Sequence, residues 1–267
     1  MNEIITSLQN PQVKLWRGLN KSRAARVEAG LFLAEGEHMA GEAIKENKAR
    51  ALLIDSGARE KYSALAESAK GVSVFYAASH VLEALCDAKT PQGIIAVCDY
   101  PQAAAVSGSL LVALDGVQDP GNVGTVLRTM DAAGYDSLLM DEKTADPYAP
   151  KALRATMGAA FRIPTVRCAD LPKALHDLAQ NGYDIVAGDL HGEPFYQRRK
   201  AKDKLCIVIG SEGQGVSPAV FAEATLRLKL PMPGKAESLN AAVAGAIMMY
   251  DFLRERLNPS APSGHLP

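Results

Sequence analysis

LPMPGKAESLNAAVAGA, Leu230 to Ala246, sets two prolines around a methionine and then opens a helix made mostly of alanine. Proline fixes φ and cannot extend a helix backwards, and Ser238 carries a good N-cap side chain, so a hard stop and a fresh start are predicted here. Neither accounts for Ser-Leu-Asn at the entry. Nor does either account for Ala241, Ala242, Ala244, Gly245 and Ala246, which let another backbone come unusually close.

Upstream, LCIVIGSEGQGVS, Leu205 to Ser217, runs a continuous apolar strand into Gly210, Gly213 and Gly215. Glycines at the end of a strand let backbone approach a ligand, and crevices at the carboxyl ends of parallel strands are the usual binding place in open α/β sheets. A tight turn alone would use the same residues, and Glu212 could be a carboxylate favoured by a helix dipole. The loop is not a GxGxxG dinucleotide fingerprint. It comes late in the chain, and the strand-like LRLKL (226 to 230) stands where the ribose-binding acid would be needed.

Further upstream, DGVQDPGNVGTVLRTMDAAG, Asp115 to Gly134, follows a strand and opens a helix. Val123, Val126, Leu127 and Met130 recur at helical spacing and form its predicted buried face, with Gly124, Thr125, Arg128 and Ala132 on the far side. An isolated arginine is ordinarily solvated. The small neighbours of Arg128 instead suggest a helix packed against something else.

Strand-like runs at 110–115, 137–140, 183–190, 205–210 and 226–231 alternate with helical stretches, which predicts an α/β domain with a mostly parallel sheet flanked by helices. Before it, runs at 31–36, 51–55, 72–77 and 93–98 alternate with helix-like 38–46 and 62–69 as a smaller α/β domain. The small, proline-bearing YPQAAAVSGS (100 to 109) separates the two. The expected organisation is 1–103, then 108–258, then a disordered tail at 259–267.

A 267-residue chain, 48% hydrophobic and 22% charged with net charge -1, has the composition of a soluble globular protein, and any polyanion site on it must be a local patch. The four cysteines form no CxxC pair and the five histidines no HxxH or HExxH spacing, so neither a metal nor a disulfide framework is expected and a cytoplasmic location is. MNEIITSLQNPQVKLW lacks the apolar stretch of a signal peptide, and Ala241 to Tyr250 is too short to span a bilayer. Local charge lies in residues 1–27, where Lys14, Arg17, Lys21, Arg23 and Arg26 face the single acid Glu3. This suits an arm that contacts phosphates, or else a solvated helix face. Trp16 among them is better suited to anchoring the segment than to stacking a base. QRRKAKDK (197 to 204) is a second basic run.

Together, DGVQDPGNVGTVLRT, IGSEGQGVS and LPMPGKAESLNAAVAGAI resemble the three motifs of the SpoU family of RNA ribose 2'-O-methyltransferases, part of the SPOUT class. The first domain resembles the ribosomal-protein-L30e-like RNA-binding module, through FLAEGEHMAGEAI (32 to 44). The resemblance implies a C-terminal deep trefoil knot, a homodimer and S-adenosylmethionine as cofactor. It places Gly210, Leu230 and Leu239 against that cofactor, with Ser211, Glu212 and Met232 beside them, and the alanine-rich helix at the dimer interface.

The implied reaction is methyl transfer to a ribose 2'-hydroxyl of structured RNA, ribosomal before transfer RNA, with Arg128 favoured at the reaction centre and Asn122, Glu212, Ser238 and Asn240 around it. A charged guanidinium has donors only, so Arg128 acts either after transient deprotonation or as a charged clamp on phosphate and alkoxide. A non-catalytic RNA-binding or ribosome-assembly protein that keeps the fold is the alternative; its mark would be loss of Asn122, Arg128, Glu212 or Asn240, and all four are present.

Overall fold

A computed structural model describes residues 4–101 and 105–258; the expected tail at 259–267 and Glu3 lie outside the described residues. The chain divides into two compact units, Met1–Gln102 with Asp146–Arg162, and Ala103–Ala145 with Ile163–Pro267.

The first unit runs β1 (Ile4–Ile5), α1 (Pro11–Leu19), α2 (Arg23–Ala29), β2 (Leu31–Glu35), α3 (Glu37–Lys45), β3 (Ala49–Asp55), α4 (Ser63–Ser68), β4 (Ser73–Ala77), α5 (Ser79–Glu83) and β5 (Ile94–Asp99). The strands form one mixed sheet in the order β1-β4-β3-β5-β2. Leu31 to Ala34 are all buried because both faces of this sheet are covered: Phe32 and Ala34 enter one cluster, and Leu31 and Leu33 enter another with Val13 and Trp16. Trp16 sits edge-on to Phe75 at 5.8 Å between ring centroids, so it anchors α1 and is not free to stack a base.

The segment Asp146–Arg162, which the sequence assigns to the second domain, packs within the first unit. Tyr148 and Phe161 join Phe32 in its core, at 4.9 and 6.0 Å between centroids. Arg26 donates to Asp146 through Nε and Nη2 at 2.8 and 2.6 Å, Arg154 to Asp87 at 2.6 Å, and Arg162 to Glu42.

The second unit continues with β6 (Leu110–Asp115), α6 (Pro120–Ala133) and β7 (Ser137–Met140). After α7 (Pro150–Thr156), which lies in the first unit, come β8 (Thr165–Arg167), α8 (Leu171–Gln180), β9 (Asp184–Pro194), β10 (Leu205–Gly210), α9 (Pro218–Ala222), β11 (Leu226–Lys229) and α10 (Ala241–Leu257). Its six strands pair in the order β11-β9-β10-β6-β7-β8, every pair parallel. Val123, Val126, Leu127 and Met130 of α6 are fully buried, as their spacing predicts, while Gly124 is buried too and Thr125, Arg128 and Ala132 are exposed.

α10 begins two residues later than Ser238 predicts. Its cap is Asn240, whose Oδ1 accepts from Ala242 N at 3.0 Å and Val243 N at 3.2 Å. The small residues of α10 are used inside the unit. Ala241, Ala242 and Gly245 are buried where the helix packs on α6 and β10, and a Cβ on Gly245 would overlap the Ile209 side chain. They do not form an outward-facing small-residue stripe.

The second basic run is a clamp. Arg198 lies between the Phe195 and Phe252 rings, 4.3 and 4.2 Å from their centroids, and pairs with Asp251 and Glu255 of α10 at 2.7 and 2.8 Å. Arg199 pairs with buried Asp184.

Candidate functional site

In a parallel sheet the carboxyl ends of all strands lie on one side, and the outer part of β9 meets the loops leaving β10 and β11 there. They enclose a cleft of about 540 Å³, within the ~300–1,000 Å³ typical of small-molecule sites. Gly210 ends β10 where the chain folds back on itself. A Cβ there would fall closer than 3.0 Å to the Gly215 carbonyl and Val216 N, so only glycine fits. Ser211 and Gly215 then exchange two backbone hydrogen bonds, at 3.0 and 2.9 Å, and Gly215 takes a φ of +68°. The turn this closes leaves Glu212 exposed at its tip, and no helix begins there, which removes the helix-dipole role. Asp115, at the end of β6, accepts from Ser217 N at 2.6 Å and ties down the far side of the loop.

Gly210, Ser211, Glu212, Leu230, Met232, Ser238 and Leu239 all line the cleft. Asn122, Arg128 and Asn240 do not. Asn122, held on the first turn of α6 by the Asp119 cap, donates its amide to the Glu212 carboxylate, and its Oδ1 accepts from Asn240 Nδ2 at 3.0 Å. One chain of amides thus joins the three sequence motifs. Because Asn240 Oδ1 is committed to the first amides of α10, its Nδ2 must face Asn122, and the orientation of both amides follows. Arg128 is exposed on the outer face of α6, with no hydrogen bond or ion pair among the described residues. Burial pushes the Cys206 thiol up, so it stays protonated within the core.

The cleft has a wall the sequence assignment omitted: Gly188, Asp189, Leu190 and His191, from the outer part of β9, and Glu237 from the loop before α10. The glycines bracketing GDLHG were the available signal. Among the described residues no cluster of His, Cys, Asp or Glu could hold a metal, and no helix is long and apolar enough to cross a membrane.

Of the five basic residues near the N-terminus, Lys14, Arg17 and Lys21 are exposed and recur on one face of α1 and its extension. Arg23 is half-buried and hydrogen-bonds Tyr100. Arg26 is a correction to the phosphate-contacting set: it is buried, and its guanidinium is taken up by Asp146 and the Leu19 carbonyl.

Residues 109–250 match the SpoU rRNA Methylase family, and residues 10–96 match the MRM3-like substrate binding domain. The chain belongs to the SpoU family. Among its relatives, the 23S rRNA (guanosine(2553)-2'-O)-methyltransferase of Bacillus subtilis is 34% identical over 92% of this chain and 97% of its own length. The SpoU methyltransferase AviRb of Streptomyces viridochromogenes, solved in complex with AdoMet, superposes with a TM-score of 0.85 at 28% identity, over 96% of this chain and 100% of that one. An AdoMet-bound rRNA methyltransferase from Sinorhizobium meliloti does so with a TM-score of 0.82 at 30% identity, over 95% and 98%. The SpoU cleft of this chain fits such a cofactor: it has the volume, apolar walls from Ile209, Leu230, Leu239 and Met248, and a glycine-lined rim whose backbone is open to a ligand.

Proposed function

We propose that this chain is an S-adenosylmethionine-dependent methyltransferase that modifies a ribose 2'-hydroxyl of ribosomal RNA. The observation that carries the reading is the chain Glu212–Asn122–Asn240 beside the glycine-rimmed cleft, because it gathers distant motifs around one small-molecule site. The long, end-to-end likeness to a 23S rRNA 2'-O-methyltransferase favours ribosomal over transfer RNA. When bound, the cofactor supplies an electrophilic methyl group.

The protein's residues must then orient the hydroxyl, accept its proton and stabilise the oxygen as it attacks. Asn122 and Asn240 hold Glu212 in one orientation, leaving its second oxygen to accept from the ribose. Arg128 stays charged: its donors grip the neighbouring phosphate and the developing alkoxide. Lys14, Arg17 and Lys21 add affinity through phosphates without reading sequence. The cytoplasm is the compartment in keeping with four free thiols.

Two further features belong to this reading. One is the trefoil threading of the C-terminal segment around the cleft. The other is a homodimer built on α10, where Val243, Ile247, Tyr250, Arg254 and Leu257 share one face. Val243, Tyr250 and Leu257 are 48%, 50% and 70% exposed, so a bulky apolar stripe awaits a second copy. Arg128 lies outside the cleft lining of its own chain, which suits a site completed across such a dimer.

The test is transfer of labelled methyl from S-adenosylmethionine to unmodified 23S rRNA and tRNA transcripts, with mapping of the product. A 2'-O-methyl on the ribosomal transcript, lost in Arg128→Ala while cofactor affinity is kept, is the expected result. Label on tRNA alone would move the substrate. No label despite cofactor binding would point to the non-catalytic alternative. A monomer by sedimentation with full activity would refute the dimer.

A further inference from the structure

The cleft wall contributed by β9 is a built feature. β9 pairs with β10 only as far as Val208↔Ala187, and its register with β11 jumps from Arg227↔Ala187 to Leu228↔Glu193. Residues 188–192 therefore leave the ladder, and four of them face the cleft. The excursion is closed by His191 N, which donates to Asp189 Oδ1 at 2.9 Å. Its last residue, Gly192, passes so close to β11 that a Cβ there would come closer than 3.0 Å to the Arg227 carbonyl and Leu228 N, and pairing resumes at Glu193. Half-buried Asp189 lines the cleft, and with Oδ1 used by the turn its Oδ2 has no hydrogen bond or ion pair among the described residues.

The charge around that space is one-sided. Asp189, Glu212 and Glu237 line it, and among the described residues no lysine or arginine does; the one basic group is the His191 imidazole. A concave site lined by one sign of charge selects ligands by charge as well as by shape. S-adenosylmethionine is a sulfonium cation. On transfer its S–CH3 bond breaks with the electron pair staying on sulfur, the methyl forms the new C–O bond, and the hydroxyl proton leaves. The product, S-adenosylhomocysteine, keeps the same adenosine and amino-acid ends around a neutral thioether.

We propose that Asp189, presented by the 188–192 excursion, reads the positive charge of the cofactor, so that the cleft prefers S-adenosylmethionine to S-adenosylhomocysteine and releases the product once that charge is gone. The inference rests on the methyltransferase reading above and adds a residue to it that neither the sequence motifs nor their spacing singled out.

The experiment is calorimetric titration of S-adenosylmethionine, S-adenosylhomocysteine and sinefungin, which carries an amine in place of the sulfonium, into the full-length protein, Asp189→Asn and Leu190→Ala. Asparagine keeps Oδ1 for His191 N and removes only the charge. Wild type should favour the two cationic ligands, and the preference should narrow as salt is raised. Asp189→Asn should weaken both cationic ligands about fivefold, as for one half-exposed charge contact, and leave S-adenosylhomocysteine within about twofold. Leu190→Ala should not change the ratio. Equal weakening of all three ligands by Asp189→Asn, the mark of a collapsed turn, would overturn the proposal, as would no change at all. A wild type that binds S-adenosylmethionine without preference removes this inference alone, whereas one that binds none of the three removes the methyltransferase reading as well.

Discussion

Replacing Gly210 by alanine puts a methyl group where the chain has folded back on itself. The new Cβ would lie closer than 3.0 Å to Gly215 C, Gly215 O and Val216 N, all backbone atoms that cannot swing aside like the end of a long side chain. Carbon–carbon contact is best near ~3.5 Å, so the 211–215 turn must retreat by roughly 1 Å or more. Overpacking of this kind costs about 1–3 kcal/mol, and a backbone obstacle belongs at the upper end. That corresponds to a fall of roughly 6–12 °C in the midpoint for a domain of this size. The retreat also opens the rim of the cleft, so cofactor affinity should fall with stability.

Two neighbouring glycines serve as internal controls. Gly215→Ala meets open space but forces an L-residue to a φ of +68°, at about 1 kcal/mol. Gly213→Ala meets nothing within 4 Å and has no positive φ, so it should stay within about 0.5 kcal/mol of wild type. Calorimetric unfolding and S-adenosylmethionine titration of the three variants give the order 210, 215, 213. Gly210→Ala with wild-type midpoint and affinity, or Gly213→Ala as damaging as Gly210→Ala, would refute the reasoning.

Arg26→Met strands the Asp146 carboxylate in a buried position and should cost about 3–5 kcal/mol by denaturant unfolding. Arg17→Ala should leave stability alone but weaken RNA binding and reduce the salt slope of the association constant by about 1. Asn240→Ala should lose about 1 kcal/mol with the cap. Asn240→Asp keeps the cap but turns an acceptor towards Asn122 Oδ1, so single-turnover rate should drop with the melting point retained. Burial pushes the Asp184 carboxyl up, but hydrogen bonds from the Arg199 guanidinium and Lys202 N, with their charges, outweigh it and hold the group below the usual carboxylate range. Its stabilisation is present above the unfolded-state value and is lost as pH falls through the depressed folded value. The acid limb of the melting point against pH, below about pH 4, should therefore flatten in Asp184→Asn.

Local pattern made much of this protein legible. Ser137–Met140 and Leu205–Gly210 are strands within the bounds their apolar runs predict, and the buried face of α6 contains the four residues its spacing names. The misplacements share one cause. Ser238 and Asn240 are both good caps, and Asn240 is selected by a hydrogen bond to a residue 118 positions away. Arg26 looks like Lys14 or Arg17 in composition, yet its carboxylate lies 120 positions on, in a segment that the sequence assigns to the other domain. β9 reaches beyond residue 190 because β11 picks up its register again after the excursion, which no alternation within GDLHGEP announces.

The sequence by itself determined most of the strands, though not the short β1 and β8, that the sheet of the second unit is mostly parallel, and, through three motifs, the family. Those depend on periodicity and residue type, which act over a few neighbours. Only the tertiary structure decided which like-looking residues are caps, clamps or free charges, that Ala241, Ala242 and Gly245 of α10 are buried beside Met248, Met249 and Phe252 while Val243, Tyr250 and Leu257 are exposed, and that the Asp189-bearing excursion completes the cleft. Each depends on which group a side chain meets across roughly a hundred residues of chain, and that choice is made by packing and by pairing buried polar groups.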